Sequence, residues 1–148
     1  MTLVETLQDT LAAEHAAVFA FGLIGGRTSQ TRTGQARTGR LFAAVSGAYA
    51  AHKTRRDDLT SLLREQGVEP VPAAATYELP TDPVTPEQIK LAALQVERAC
   101  AGRYSVLVAE SADELRGWAI NALTDSAVRS LDFGGTPEAF PGAEELTT

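Results

Sequence analysis

The stretch that decides the fold is GVEPVPAAATYELPTDPVTP, residues 67–86. It contains five prolines: Pro70, Pro72, Pro80, Pro83 and Pro86. Proline lacks a backbone donor and clashes with the preceding helical turn, so no helix survives this density. We therefore predict an extended connector over residues 67–85, which divides the chain into two halves.

The length of this connector predicts the topology. Fully extended, it spans up to about 60 Å, whereas a helix of about 25 residues is about 38 Å long. It can therefore run along a whole helix and start the next helix parallel to the previous one. This role also explains why so long a segment has no regular structure.

On both sides of the connector, apolar residues recur every three or four positions, a spacing typical of helices. The predicted helices cover about 2–25, 40–66, 86–110 and 112–132. No segment alternates convincingly with a period of two. The predicted fold class is all-α: a single domain, 1–148, of two helical hairpins joined by a long Pro-rich crossover.

Capping residues define the predicted helix ends. Expected starts are Thr2 with Glu5, Thr85 before Pro86, and Ser111 with Glu114. Expected ends are Gly25-Gly26, Gly67 and Gly134-Gly135. The tail over residues 134–148 is broken by Pro and Gly, and we expect it to be irregular.

Composition limits the function classes. The 148 residues carry a net charge of -6, which argues against bulk binding to nucleic acid or an anionic membrane. One cysteine permits no internal disulfide, so a cytoplasmic location is expected. The opening MTLVETLQDT is acidic, and no long apolar run follows, so neither a signal peptide nor a membrane span is expected.

A basic stretch stands out in this acidic chain. Residues 26–39, GRTSQTRTGQARTG, hold three arginines and no acid. Their polar, glycine-containing composition predicts a mobile loop up to residue 40. Such a loop is either a solvated connector or a contact for an anionic partner.

Four polar residues fall on the apolar stripes of the four predicted helices: Glu14, His52, Glu97 and Asp125. Charged side chains rarely enter a core unless they pair or bind a metal. All lie at or near the middle of their helices. The midpoints of helices packed side by side lie at the same level, whether the helices run parallel or antiparallel. We therefore expect the four side chains to converge in the core.

One interpretation is a metal site. An inward ligand from each of four helices is how carboxylate-bridged dimetal centres are built. That pattern also requires a Glu-x-x-His motif on each of two helices. Here Tyr49 stands in the Glu position three residues before His52, and Ala122-x-x-Asp125 has neither the Glu nor the His. Four of the six ligands of a dimetal centre remain. They favour a single iron, manganese or zinc ion over a working dimetal centre.

The preferred interpretation is a buried ion network without any cofactor. Arg55, Arg56 and Arg129 lie within a turn of His52 or Asp125, and a guanidinium pairs with carboxylates. The predicted network is Glu14, His52, Arg55, Arg56, Glu97, Asp125 and Arg129, with Tyr49 and Tyr104 as possible hydrogen-bond partners. Networks of this kind can fix helix register. Cys100 is expected to act as a small buried apolar residue.

Several strings in this order resemble a bacterial ferritin-like family of unknown function. They are LAAEHAAVFAFG (11–22), AHKTRRDDL (51–59), PVPAAATYELP (70–80), LQVERA (94–99), LTDSAV (123–128) and AFPG (139–142). The resemblance implies a ferritin-like four-helix bundle and no established activity. Its recurring polar positions are Glu14, His52, Arg55, Arg56, Asp57, Glu97 and Asp125.

From these observations we expect a non-catalytic structural or interaction module. We also expect it to self-associate, with a dimer favoured because two-fold symmetry is the commonest form. The alternative is a metal-binding protein with a degenerate carboxylate and histidine site, possibly oxidoreductase-like.

Overall fold

The fold is built from four α-helices. The computed structural model describes residues 1–30, 36–79 and 82–143. The helices are α1 (Leu3–Gln30), α2 (Ala36–Glu65), α3 (Pro86–Glu110) and α4 (Asp113–Asp132). The described ranges contain no strand, and the all-α prediction is confirmed for them. None of these helices is both long and apolar enough to cross a membrane.

The predicted end of the first helix at Gly25-Gly26 is wrong. The helix continues to Gln30 because its last turns pack in the core: Ile24 and Thr28 are buried. The Thr28 hydroxyl also donates to the carbonyl oxygens of Ile24 and Gly25. This packing outweighs the cost of about 1 kcal/mol that each glycine imposes on a helix.

Most of the predicted basic loop is helical instead. The second helix begins at Ala36 rather than near residue 40, so helix covers both flanks of the 26–40 stretch. The remaining part, residues 31–35, lies outside the described residues.

The start of α3 follows the prediction, whereas the start of α4 does not. Thr85 caps α3 and forms a capping box with Gln88. Ser111, the predicted cap of α4, instead ends α3, and its hydroxyl donates back to the Leu107 carbonyl. Ala112 occupies the N-cap position of α4, and it has no side chain that can cap the helix.

The core consists of two apolar clusters along the helix axes. One contains Leu7, Leu11, Leu59, Leu63 and Leu107. The other includes Phe21, Ile24, Val45, Ile89 and Phe133. The helix α1 packs against both α2 and α3, and α3 packs against α4, while α2 makes fewer contacts with α3 and α4.

The connector lies along α1. Its successive contacts are Glu69 and Val71 with Gln8, Val71 with His15, Tyr77 with Phe19, and Asp82 with Arg27. The partner on α1 advances from residue 8 to residue 27 as the connector proceeds. The helix α3 therefore starts beside the C-terminal end of α1.

The segment after α4 packs back onto α3. The Ser105 hydroxyl donates to the Gly142 carbonyl oxygen over 3.0 Å. Gly142 has a φ of +73°, and a Cβ atom at this position would lie 2.3 Å from the Ala101 carbonyl oxygen. Only glycine therefore fits the close approach of the two backbones.

Candidate functional site

Six buried side chains with polar or ionisable groups meet in the core. We call them the polar layer: Glu14, His52, Glu97, Cys100, Tyr104 and Ser126. They come from all four helices. The three contributions from α3 follow a spacing of three and four residues, which places them on one helix face.

His52 is at the centre of the polar layer. Its Nδ1 atom lies 2.7 Å from Oε2 of Glu14, and its Nε2 atom lies 3.4 Å from Oε2 of Glu97. All three side chains are buried to 1% exposure or less. The ring also stacks on Phe21, with centroids 5.2 Å apart and planes inclined by 15°. The imidazole is thus held between two buried carboxylates.

Hydroxyl groups from α3 and α4 also bind the two carboxylates. Tyr104 donates a hydrogen bond to Oε1 of Glu14. Ser126 donates to Oε2 of Glu97 over 2.6 Å. The Arg55 guanidinium donates to both hydroxyl oxygens, at 3.3 Å each, and so connects the two halves of the polar layer.

Asp125 lies at the edge of the site. Its Oδ2 atom accepts from Arg55 and, over 2.7 Å, from Nε of Arg129. Its side chain is 41% exposed. Partial burial raises the pKa of this carboxyl, but the two arginines lower it by more, so the pKa lies below 3.8. Asp125 is therefore an ionised partner of two guanidinium groups.

The neighbours of His52 favour its protonated form. Burial lowers the pKa of the ring, but interactions with Cys100, Glu14 and Glu97 raise it by more. The resulting pKa lies well above the ordinary 6.5. Burial raises the pKa of Cys100 and of Tyr104, so both remain neutral near pH 7.

Three of the four residues predicted to converge do so: Glu14, His52 and Glu97. Asp125 joins them only through Arg55. Arg129 contacts Asp125 alone among the predicted residues.

Arg56 is not part of the network. Its guanidinium pairs with Asp57 at the surface, over 2.7 Å. One step along a helix rotates a side chain by about 100°, so Arg55 faces α4 while Arg56 faces outward. The sequence does not show which of the two arginines faces the core, because both lie close to the same apolar stripe.

The two tyrosines also differ. Tyr104 is fully buried in the site, whereas Tyr49 packs beside Gly22 and its ring lies 5.7 Å from the Lys53 ammonium. The role of Ser126 is not predicted from the sequence, and Cys100 is expected there only as a small apolar residue. The sequence signal for Ser126 is its position next to Asp125. The signal for Cys100 is its position one helical turn after Glu97.

Two atoms of the polar layer have no hydrogen-bond partner. They are Nε2 of His52 and Oε1 of Glu97, and both are buried. In the same layer, one ligand atom each of Glu14, His52 and Cys100 lies within 4.8 Å of the other two. The site thus combines paired charges with donor atoms of the kinds that bind metals.

Comparisons with known proteins give a family without an assigned activity. A family model described as "Domain of unknown function (DUF4439)" matches residues 6–145. The chain is also similar to the crystal structure of a conserved hypothetical protein from Mycobacterium tuberculosis, with 27% identity and a TM-score of 0.75. That match covers 88% of this chain and 92% of the other. Comparison with curated proteins found no match.

Proposed function

We propose that this chain, which belongs to the family described as Domain of unknown function (DUF4439), is a non-catalytic structural or interaction module. In this proposal it has a ferritin-like four-helix architecture, and a buried ion network fixes the relative register of the helices. The proposed location is the cytosol, in keeping with a single cysteine. Self-association as a dimer stays a prediction, which sedimentation velocity of the full chain would check.

The path of the connector supports the ferritin-like architecture. It follows α1 from Gln8 to Arg27, so α3 starts at the end where α1 finishes and α2 begins. Two hairpins joined by one long crossover are a known arrangement of ferritin-like folds. Glu14, His52 and Glu97 then meet at one level because each occupies a middle turn of its helix.

The observation that carries the proposal is that every charged group of the network faces at least one group of opposite charge. Glu14 and Glu97 both face His52, and Asp125 faces both Arg55 and Arg129. A buried ion pair contributes little net stability, because desolvation costs about as much as attraction returns. Removing one partner, however, leaves an uncompensated buried charge. The network therefore penalises helix arrangements that separate its members.

A double-mutant cycle tests this role directly. We expect Glu14→Gln and His52→Gln each to lower the free energy of unfolding by about 3 kcal/mol. The double variant should lose less than the sum of the two, with a coupling energy of at least about 2 kcal/mol, because the pair is removed together. Urea denaturation of chelator-treated protein measures all four states.

The exposed pair Arg27–Asp82 provides a matched control. Its atoms lie 2.8 Å apart, as close as those of the buried pair, but the side chains are 37% and 66% exposed. The same cycle at this pair should give a coupling of about 0–1 kcal/mol. A coupling at Glu14 and His52 no larger than this control would contradict the proposed network.

A further inference from the structure

We propose that Glu14, His52 and Cys100 form a binding site for one zinc ion. This inference goes beyond the proposed structural role and concerns the same layer in a second, metal-bound state. It differs from the metal site expected from the sequence, because the cysteine replaces Asp125 as a ligand.

The geometry brings three ligand types to one point. A carboxylate oxygen from α1, an imidazole nitrogen from α2 and a sulfur from α3 all lie within 4.8 Å of one another, and all three residues are buried. Ligands of one tetrahedral zinc ion lie about 2.0–2.3 Å from the metal and therefore about 3.3–3.8 Å from one another. Binding then requires side-chain rotations that bring the three atoms closer together.

The unpartnered atoms are a second, independent observation. Nε2 of His52 and Oε1 of Glu97 are fully buried without a hydrogen-bond partner, a state that costs about 1–3 kcal/mol for each group. Each ring nitrogen of His52 faces a carboxylate. When one nitrogen binds a metal, the other can donate to the opposite carboxylate, which orients a metal-binding histidine.

The donor set favours zinc over harder cations. Oxygen, nitrogen and thiolate sulfur together are typical ligands of zinc, whereas magnesium and calcium select oxygen ligands alone. Binding replaces protons of the imidazole and the thiol, so the added positive charge is largely offset. Three protein ligands leave a fourth position for water or a small molecule.

A groove reaches one of the three proposed ligands, Cys100, from the surface. It has a volume of about 280 Å³ and lies between α1, α3 and the connector. Its lining includes Ala13, Ala17, Ala92 and Cys100, together with the exposed Gln95 and Ala99. The small alanine side chains leave the sulfur side of the polar layer approachable.

The test is a metal titration of the full chain, purified without a histidine tag and stripped with a chelator. Equilibrium dialysis against zinc should give about one equivalent per chain. Titration with cobalt should give tetrahedral visible bands and a near-ultraviolet thiolate-to-cobalt band. Because Cys100 is the only cysteine, that band reports its coordination in the unmodified chain.

Two variants separate the proposed site from surface binding. Cys100→Ser should abolish the thiolate band and weaken zinc binding at least about tenfold, with circular dichroism confirming the fold. His15→Gln, which removes the only other histidine, should leave zinc binding unchanged. Less than about a tenth of an equivalent, absence of the thiolate band from the unmodified chain, or full affinity in Cys100→Ser would overturn the zinc site. None of these results affects the coupling measured in metal-free protein, so the two proposals fail separately.

Discussion

The protonation of His52 links a single residue to the stability of the whole chain. Below pH 6.5, the ordinary pKa, the ring is charged in both the folded and the unfolded chain, and the raised folded pKa contributes its full stabilisation. Above pH 6.5 the folded chain keeps a proton that the unfolded chain releases. The free energy of unfolding should therefore fall as pH rises toward the folded pKa, where this contribution is lost.

Urea midpoints at successive pH values above 6.5 check this dependence. The decline should disappear in His52→Gln and persist in His15→Gln, since His15 lies outside the polar layer, with its Nε2 atom 3.0 Å from the Val71 carbonyl oxygen. Cys100 adds a decline of the same sign only near and above pH 9.0, its ordinary pKa. A urea midpoint that stays constant between pH 6.5 and pH 9.0 would show that His52 is not protonated in the folded chain.

At the same scale, the sequence identifies the charged members of the site better than the neutral ones. Glu14, His52 and Glu97 are visible because each interrupts an apolar stripe, and burial of such residues demands a partner. Ser126 and Cys100 give no such signal, because small neutral side chains are common in any core. The choice between Arg55 and Arg56 depends on a rotation of one residue, which periodicity alone does not resolve.

At the scale of elements, the segment after α4 depends on Gly142. Replacing it with alanine adds a Cβ atom 2.3 Å from the Ala101 carbonyl oxygen, so the segment must leave α3. The hydrogen bond from Ser105 to the Gly142 carbonyl is then lost as well. We expect Gly142→Ala to lower the free energy of unfolding by about 2–3 kcal/mol and to speed proteolysis near Phe140.

Gly67 offers a matched comparison for that substitution. It has nearly the same backbone angle, φ +72°, but a Cβ atom there would meet nothing within 4 Å. Gly67→Ala should therefore cost only the backbone strain, about 1 kcal/mol. Equal losses for the two variants would mean that the contact between Gly142 and α3 has no separate effect.

Helix identities follow from the sequence, but some helix ends do not. The capping residues at Thr85 and the glycine at position 67 act locally, so they are predictable. The continuation of α1 through Gly25 and Gly26 depends on contacts with α2, such as the approach of Gly25 to Val45. Local propensity carries no information about such tertiary contacts.

At the scale of the whole molecule, Gln8 attaches the connector to α1. Its amide group donates to the Glu69 carbonyl over 2.7 Å and accepts from the Val71 amide over 2.8 Å. Gln8→Ala should therefore lower the free energy of unfolding by about 1–2 kcal/mol and raise hydrogen exchange at Val71 about tenfold or more.

Gln95→Ala serves as the comparison for this variant, because Gln95 is an exposed residue of α3. It should change neither the stability nor the exchange at Val71. If Gln8→Ala leaves that exchange rate unaltered, the connector is held to α1 by other contacts, and the side chain of Gln8 is not what attaches it.

The connector also bears on the order in which the chain folds. Its length separates the contacts of the α1–α2 hairpin from those of the α3–α4 hairpin, and closing a long loop costs entropy before any contact repays it. The partners of His52 come from both sides of this division: Glu14 from the first hairpin, and Glu97 and Cys100 from the second. In each hairpin alone, these charges would stay hydrated. They lose their water only when the two hairpins dock. A docking arrangement that leaves a charge without its partner is therefore destabilised at this step.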